Sequence, residues 1–421
     1  MKSNLRLFML LLTLAARAAV AEDFEYELGG HAKYQISRIS YGSQDLQAVA
    51  GRDRVTESNI DLRATSSLSY SKYRAELDVE FLGASSDAKD LPDIPGLGVR
   101  TRALGLGRTL IDDSRRLFDL TSEVADGDDF GAVLRVDRMS AGYFGENVVV
   151  IGGRQAVSWG GGLAFHVLDL FNPFTPTEID KDYKTGDDML YGQYLFSDGG
   201  DVQLLSVVRR DPLTSSVLST QSSFAGKWHT NVNGIDVDLV LAQHYDEPHF
   251  GGGIAAPVFD GVLRADAMLV DVENGDAEFS LITNYDRSWI FAGFNMYGFV
   301  EYFHSGFGVS ESSYLDPPLE LAERLLRGEL FTLGRDYMSV GLQTELTPRW
   351  NWFVSLINNL HDESGVVQTR ASFDATQNLQ VLAGVDVPWG PKGSEFGGIA
   401  VDNEVYLAFG WDMYARITYY F

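Results

Sequence analysis

The chain has 421 residues, with 33 basic against 59 acidic side chains, a net charge of −26 and no cysteine. Without cysteine there is no disulfide framework, thiolate metal site or c-type haem, and such acidity argues against nucleic acid, whose phosphates need a basic patch. The 45% hydrophobic and 12% aromatic content excludes a disordered chain, while nothing after the N-terminal segment offers the ~18 consecutive apolar residues of a membrane-spanning helix.

Residues 1–21 read as a secretory signal peptide. Lys2 and Arg6 give the positive flank, Leu7 to Ala16 the apolar run, and Ala19-Val20-Ala21 the small-residue cleavage site. The run is too short to span a bilayer as a helix. Its removal takes away three basic residues, brings the net charge to −29 and leaves 22–421 as one domain.

From there the chain alternates. Tyr73, Ala75, Leu77, Val79 and Phe81 share one side of an extended strand, and Arg74, Glu76, Asp78 and Glu80 share the other. Such runs predict strands near 24–38, 57–70, 73–84, 130–143, 147–158, 189–197, 201–210, 221–230, 234–245, 249–258, 261–272, 277–290, 295–306, 336–346, 350–360, 364–374, 378–388 and 409–421. Each is about long enough for a tilted strand to cross a bilayer. Short connections such as Ser71-Lys72 and Asn231-Val232-Asn233 fall after even-numbered strands, and the long ones, 85–129, 159–188, 307–335 and 389–408, after odd ones. That is the parity of periplasmic turns and outer loops. The expectation is an all-β, transmembrane antiparallel barrel of about 18 strands in the outer membrane, its long loops folding into the lumen. Gly251-Gly252-Gly253 and Pro257 weaken 249–258, which leaves a count of 16 open.

Alternation also assigns faces. Arg63, Arg74, Glu76, Asp78, Glu80, Arg135, Asp137, Arg264, Asp266, Arg370 and Arg416 are expected to line the lumen. Opposed charges there would favour small polar solutes, or pair with one another and brace the wall. The mixed balance counts against a polyanion. The segment from Trp159 through Phe165, His166, Leu168, Asp169 and Phe171 to Asn172 is too apolar for an outer loop in water. It is expected to fold inward as a constriction, with Asp169 and His166 still facing solvent. In 307–335, Asp316 and Pro317 predict the start of a helix ending at Gly328, with Leu321, Ala322 and Leu325 on one stripe.

Catalytic signals are weak, and no enzyme or cofactor is expected. His304 and Ser305 are adjacent, so on a strand they face opposite sides and cannot act together. The other histidines are scattered without metal-ligand spacing. Asp126-Gly-Asp-Asp129 and Asp187-Asp188 could hold calcium but read better as solvated loops. The absence of a plug domain before the first strand argues against a TonB-dependent transporter.

Two resemblances follow. The final strand, ending in Ile417, Tyr419 and a terminal Phe421, resembles the signal by which barrel-assembly machinery recognises Gram-negative outer-membrane barrels. Gly153-Arg154-Gln155, Trp159-Gly160, Asp169 and Asn172-Pro173, with Asn295 to His304 and Gly393 to Gly397, resemble barrels of the alginate-export and DUF1302 type. Together they imply a setting of membrane lipid and lipopolysaccharide and, for an export conduit, an inner-membrane exporter. The leading functional expectation is a porin-like channel or export conduit for small polar or charged solutes. The alternatives are a lipid-acting barrel enzyme and a structural, partner-sheathing barrel.

Overall fold

The structure, a computed structural model, describes residues 24–88, 113–127, 129–178, 182–272, 275–310, 314–402 and 404–421. The signal peptide read at 1–21 lies outside them. The first strands are β1 (Phe24–Ser40), β2 (Arg54–Tyr70), β3 (Tyr73–Ser86), β4 (Thr121–Asp126), β5 (Phe130–Phe144), β6 (Val148–Gln155) and β7 (Asp187–Leu195). Next come β8 (Asp201–Val207), β9 (Ser223–Val232), β10 (Ile235–His244), β11 (Glu247–Val258), β12 (Gly261–Val270), β13 (Glu278–Phe291) and β14 (Phe294–His304). The last are β15 (Asp336–Thr347), β16 (Trp350–Asn359), β17 (Ser364–Asp374), β18 (Leu379–Trp389), β19 (Ile399–Asp402), β20 (Val405–Leu407) and β21 (Trp411–Tyr420).

Nineteen strands join in one sheet. Eighteen close a ring through antiparallel neighbours, sealed where β1 pairs with β21 from His31↔Tyr420 to Ser40↔Trp411. The nineteenth, β4, pairs among the described residues with β5 alone, beyond the end of the shorter β6. All eighteen expected strands are present, including the one carrying Gly251-Gly252-Gly253. Both turn residues have positive φ in Asn233-Gly234, Ala292-Gly293 and Tyr245-Asp246, the backbone of tight hairpins whose twist matches the strands they join.

The two faces alternate as expected. Leu134, Leu204, Leu239, Val300 and Ile417 stand exposed on the outside, while Asp78, Glu80, Arg135, Asp266 and Glu301 are buried inside. Such an outer band suits lipid. One local departure matters. A bulge in β5 shifts the register between Asp78↔Arg138 and Val79↔Val136, so Asp137 and Arg138 are both buried and both serve the inner charge cluster.

Three details correct the sequence expectations. The helix spans Leu319–Arg327 and is preceded by Pro318, not started at Asp316. A proline after Pro317 holds that residue extended and delays the first turn, whereas the Gly328 ending holds, at φ 71°. The connection 389–408 carries the small hairpin β19–β20. Asp187 and Asp188 are buried ion-pair partners of Arg209 and Arg154, not a solvated loop.

Candidate functional site: the lumen and its inward loop

The described part of the connection between β6 and β7, residues 156–178 and 182–186, enters the barrel. Trp159, Phe165, Leu168 and Phe171 are almost fully buried and pack with Met268, Ile282, Phe303, Tyr337 and Ile357 of the wall. Phe165 stacks on Phe303 at 4.6 Å, Phe171 meets Trp159 edge-on at 5.9 Å, and the Trp159 indole donates to Gln203 at 2.8 Å. Burial of this apolar surface drives the loop inward.

A loop buried this way must still satisfy its backbone. The inward-facing Glu301 of β14, fully buried, does most of that. Its Oε2 accepts the Leu163 N–H at 2.7 Å, and its Oε1 accepts those of Ala164 at 2.9 Å and Phe165 at 2.7 Å. Asn284 adds a donor to Glu301 at 3.0 Å and also donates to the Gly161 carbonyl at 2.9 Å. Asp266 accepts the Gly161 N–H at 2.6 Å. The tight path past Asp266 explains Gly160, which has φ 87° and where a Cβ would lie 2.7 Å from the Asp266 carboxylate.

The glycines of β11 have the same origin. A Cβ at Gly251 would lie 2.6 Å from a Leu168 methyl, and one at Gly253 would lie 3.1 Å from the other. These inward positions form the hole into which Leu168 fits. What weakens the strand as a sequence serves the loop as a socket.

The returning half of the loop is held by charge. Lys184 donates to both Asp169 oxygens at 2.5 and 2.7 Å, to the Val157 carbonyl at 2.6 Å and to Ser158 at 3.1 Å. Burial raises the Asp169 carboxyl and lowers the Lys184 ammonium against their mutual attraction. Asp169 is therefore buried rather than facing solvent, while His166 is half-buried against Phe165 and Pro173 in a small cleft. Asn172 takes a left-handed conformation and donates to the Thr185 carbonyl at 3.3 Å. Asp182 then reaches Lys33 at 2.8 Å and Tyr420 at 3.0 Å, which ties the loop to the β1–β21 seam.

The expected lumen charges divide into groups. Arg63 bonds Glu80 and Asp137, both at 2.9 Å, and lies 3.4 Å from Asp78. Arg135 bonds Glu80 at 2.5 Å and Asp137 at 2.9 Å. The Tyr183 ring of the loop lies 4.2 Å from the Arg63 guanidinium, so this cluster is roofed rather than open. Asp266 belongs to the loop anchor, and Arg264 pairs with Asp286 beside it. Arg370 lies over the Phe353 ring at 4.2 Å on the β17–β18–β21 side, where Asp386, Asp412, Tyr414 and Arg416 also face inward. Glu76 is half-buried, and Arg74 sits exposed near the turn end, 3.9 Å from Glu27.

Sequence reasoning missed Glu301, Lys184, Arg138 and Arg154. Glu301 was readable, since it shares the inward parity of Tyr297, Phe299 and Phe303 within the Asn295 to His304 run. Arg138 was not, because the bulge that turns it inward leaves no mark in the alternation. Arg154 bonds Asp188 at 2.9 Å and Asp113 at 3.0 Å. Of the weighed Ser/His pair, Ser305 is buried, while His304 joins His361 and Tyr302 on the Asp336 carboxylate at the outer rim.

No family model and no curated protein matches this chain. Solved structures do. A BenF-like porin from Pseudomonas fluorescens Pf-5 aligns over 95% of this chain and 99% of its own, at 11% identity and a TM-score of 0.51. The outer membrane protein opdK from Pseudomonas aeruginosa aligns over 94% and 98%, at 9% identity and a TM-score of 0.51. OccAB2 of Acinetobacter baumannii aligns over 94% and 98%, at 8% identity and a TM-score of 0.51. At such identities the likeness concerns the fold alone, a large closed antiparallel β-barrel like those of these outer-membrane proteins.

Proposed function

We propose that the protein is a passive outer-membrane channel for small polar or charged solutes, narrowed midway by the loop 156–186. The observation that carries this reading is the anchoring of that loop by Glu301 and Asp266. Wall carboxylates spent on loop N–H groups make a fixed constriction rather than a collapsed interior. Passage is placed along β17, β18 and β21, where Arg370, Asp386, Asp412, Tyr414 and Arg416 give a polar wall of both signs that the loop touches through Thr177, whose carbonyl accepts from Gln368 at 3.1 Å. Export fed by an inner-membrane pump would use the same path. The finer kinship with alginate-export and DUF1302-type barrels belongs to this proposal, supported by the place of Arg154, Trp159, Gly160 and Asp169 at or beside the loop anchors. The terminal Phe421, whose backbone N–H and carbonyl both pair with Gly30 at the seam, serves as the assembly signal in the same reading.

The test is single-channel conductance in planar bilayers. The wild type should conduct poorly for its strand count. Removal of 163–170 should raise conductance several-fold with the barrel intact, because strand hydrogen bonds close independently of the loop. A wild type that conducts like an open porin and does not respond to the deletion would sink the constriction.

A further inference from the structure

Five interior arginines of this barrel, Arg63, Arg135, Arg154, Arg209 and Arg264, stand on carboxylates, and Arg370 lies over the Phe353 ring. Arg38 differs. It has the outward parity of Tyr34 and Ile36 on β1, so it stands exposed on the lipid face two residues from the strand's outer end at Ser40. Its guanidinium reaches the Thr56 hydroxyl and takes part in no ion pair among the described residues. Near the interface such a cation costs little, and it stands at the level of the anionic lipid headgroups.

Beside Arg38 the outer wall is hollowed. A groove of about 580 Å³ runs across β21, β18 and β17. Its floor is one cross-strand row in which Ile36 faces Ala415, Ala415 faces Ala383, Ala383 faces Ala371 and Ala371 faces Trp352. Three successive alanines leave the depression between the larger Ile36 and Trp352. Trp352 is held as its far bank by a 2.9 Å hydrogen bond from its indole to Thr369. The next row outward places Met413 and Val385 between Arg38 and Thr369. The site is thus largely apolar along its length, with a guanidinium at its outer end that is in no ion pair among the described residues and reaches Thr56, whose N–H is bound by Asp87 at 2.6 Å.

We infer that this groove holds one molecule of the phosphorylated, acylated glycolipid of the outer leaflet, with a phosphate on Arg38 and an acyl chain laid across the alanine row. A guanidinium binds phosphate oxygens in a planar, two-point geometry, and a slot of small side chains accepts a flexible chain without strain. The position of Arg38 near the outer end of β1 selects the outer leaflet, and the charge selects a phosphorylated lipid over a neutral one. The occupant is therefore lipid A.

The test uses the full mature barrel in a neutral detergent, with bound lipid read by native mass spectrometry. Diphosphorylated lipid A should be retained at one molecule per barrel. Arg38→Gln should lower the retained fraction at least tenfold, and Ala383→Phe, which fills the floor, should do the same. Heat-modifiable gel migration identifies the folded barrels, and Arg38→Gln, being small, stands alone if Ala383→Phe fails to insert. Unchanged retention in folded Arg38→Gln would overturn the site. So would equal retention of dephosphorylated lipid A or of phosphatidylglycerol. Both substitutions lie outside the lumen, so conductance should stay at the wild-type level, and failure here leaves the channel reading untouched.

Discussion

Two parts of the inner wall solve the same problem in opposite ways. On β2, β3 and β5 the inward charges satisfy one another, with Arg63 and Arg135 distributed over Glu80 and Asp137. On β12 to β14 the inward Asp266 and Glu301 satisfy a foreign segment, the backbone of the loop at 161–165. The first arrangement makes wall charge a structural brace; the second makes it a receptor for a plug. A carboxylate facing a lumen therefore does not by itself mark a permeation surface, and what lies opposite it decides.

The two regions differ most at Glu301. In Glu301→Ala three loop N–H groups, those of Ala164 and Phe165 buried and that of Leu163 part-buried, lose their acceptor, each buried one at a cost of about 1–3 kcal/mol. The loop should leave the wall, and single-channel conductance should rise several-fold. Conductance unchanged from wild type would mean that apolar packing alone holds the loop. Arg63→Ala tests the other region. It takes one of two arginines from Glu80 and Asp137, which keep Arg135, and should cost at most about 3–5 kcal/mol of stability, read as a lower temperature for the heat-induced gel shift. Conductance should change little, because the plug is anchored elsewhere. If Arg63→Ala instead opens the channel as Glu301→Ala does, the two regions are not distinct.

Leu77→Arg, next to the brace but on the lipid side, should cost about 2–4 kcal/mol if it lies at the bilayer midplane. Glu76→Gln on the inner side should cost far less, and equal losses would reverse the faces. The outer loops carry a titratable anchor of their own. Glu395 accepts the Leu333 N–H at 2.7 Å, the Tyr337 hydroxyl at 2.5 Å and the Asn359 amide at 2.8 Å. Burial pushes its carboxyl up from 4.5 to about 7. A carboxyl raised on folding contributes stability that is complete below its unfolded value and is lost as pH rises through its folded value. The loops should resist protease best near pH 4.5 and least by pH 8, a change of at most about 3 kcal/mol. Glu395→Gln should flatten that profile. A wild-type profile that is already flat would remove Glu395 as its source.

The smallest effect belongs to Gly251. Gly251→Ala crowds Leu168 in its socket and should cost about 1–3 kcal/mol by overpacking, with a modest rise in conductance as the loop shifts.

Period-2 patterning made the barrel legible from sequence alone. Its strand number, the turn and loop ends and most face assignments depend on which residues alternate along a single strand, a local property. Leu77 and Glu76 were placed on their faces with no knowledge of their neighbours. The inward loop was legible as well, because an apolar run such as Trp159 to Phe171 has nowhere else to hide. Its fastening was decided only by the closed ring. Glu301 and Leu163 are 138 residues apart, Leu168 finds its hole in a glycine run that looked like a flaw, and the bulge at Asp137 turns Arg138 inward against the pattern. The groove under Arg38 is likewise assembled from strands at both ends of the chain, joined only where β1 closes on β21. Such contacts carry no local signature, since each depends on the register in which distant strands meet.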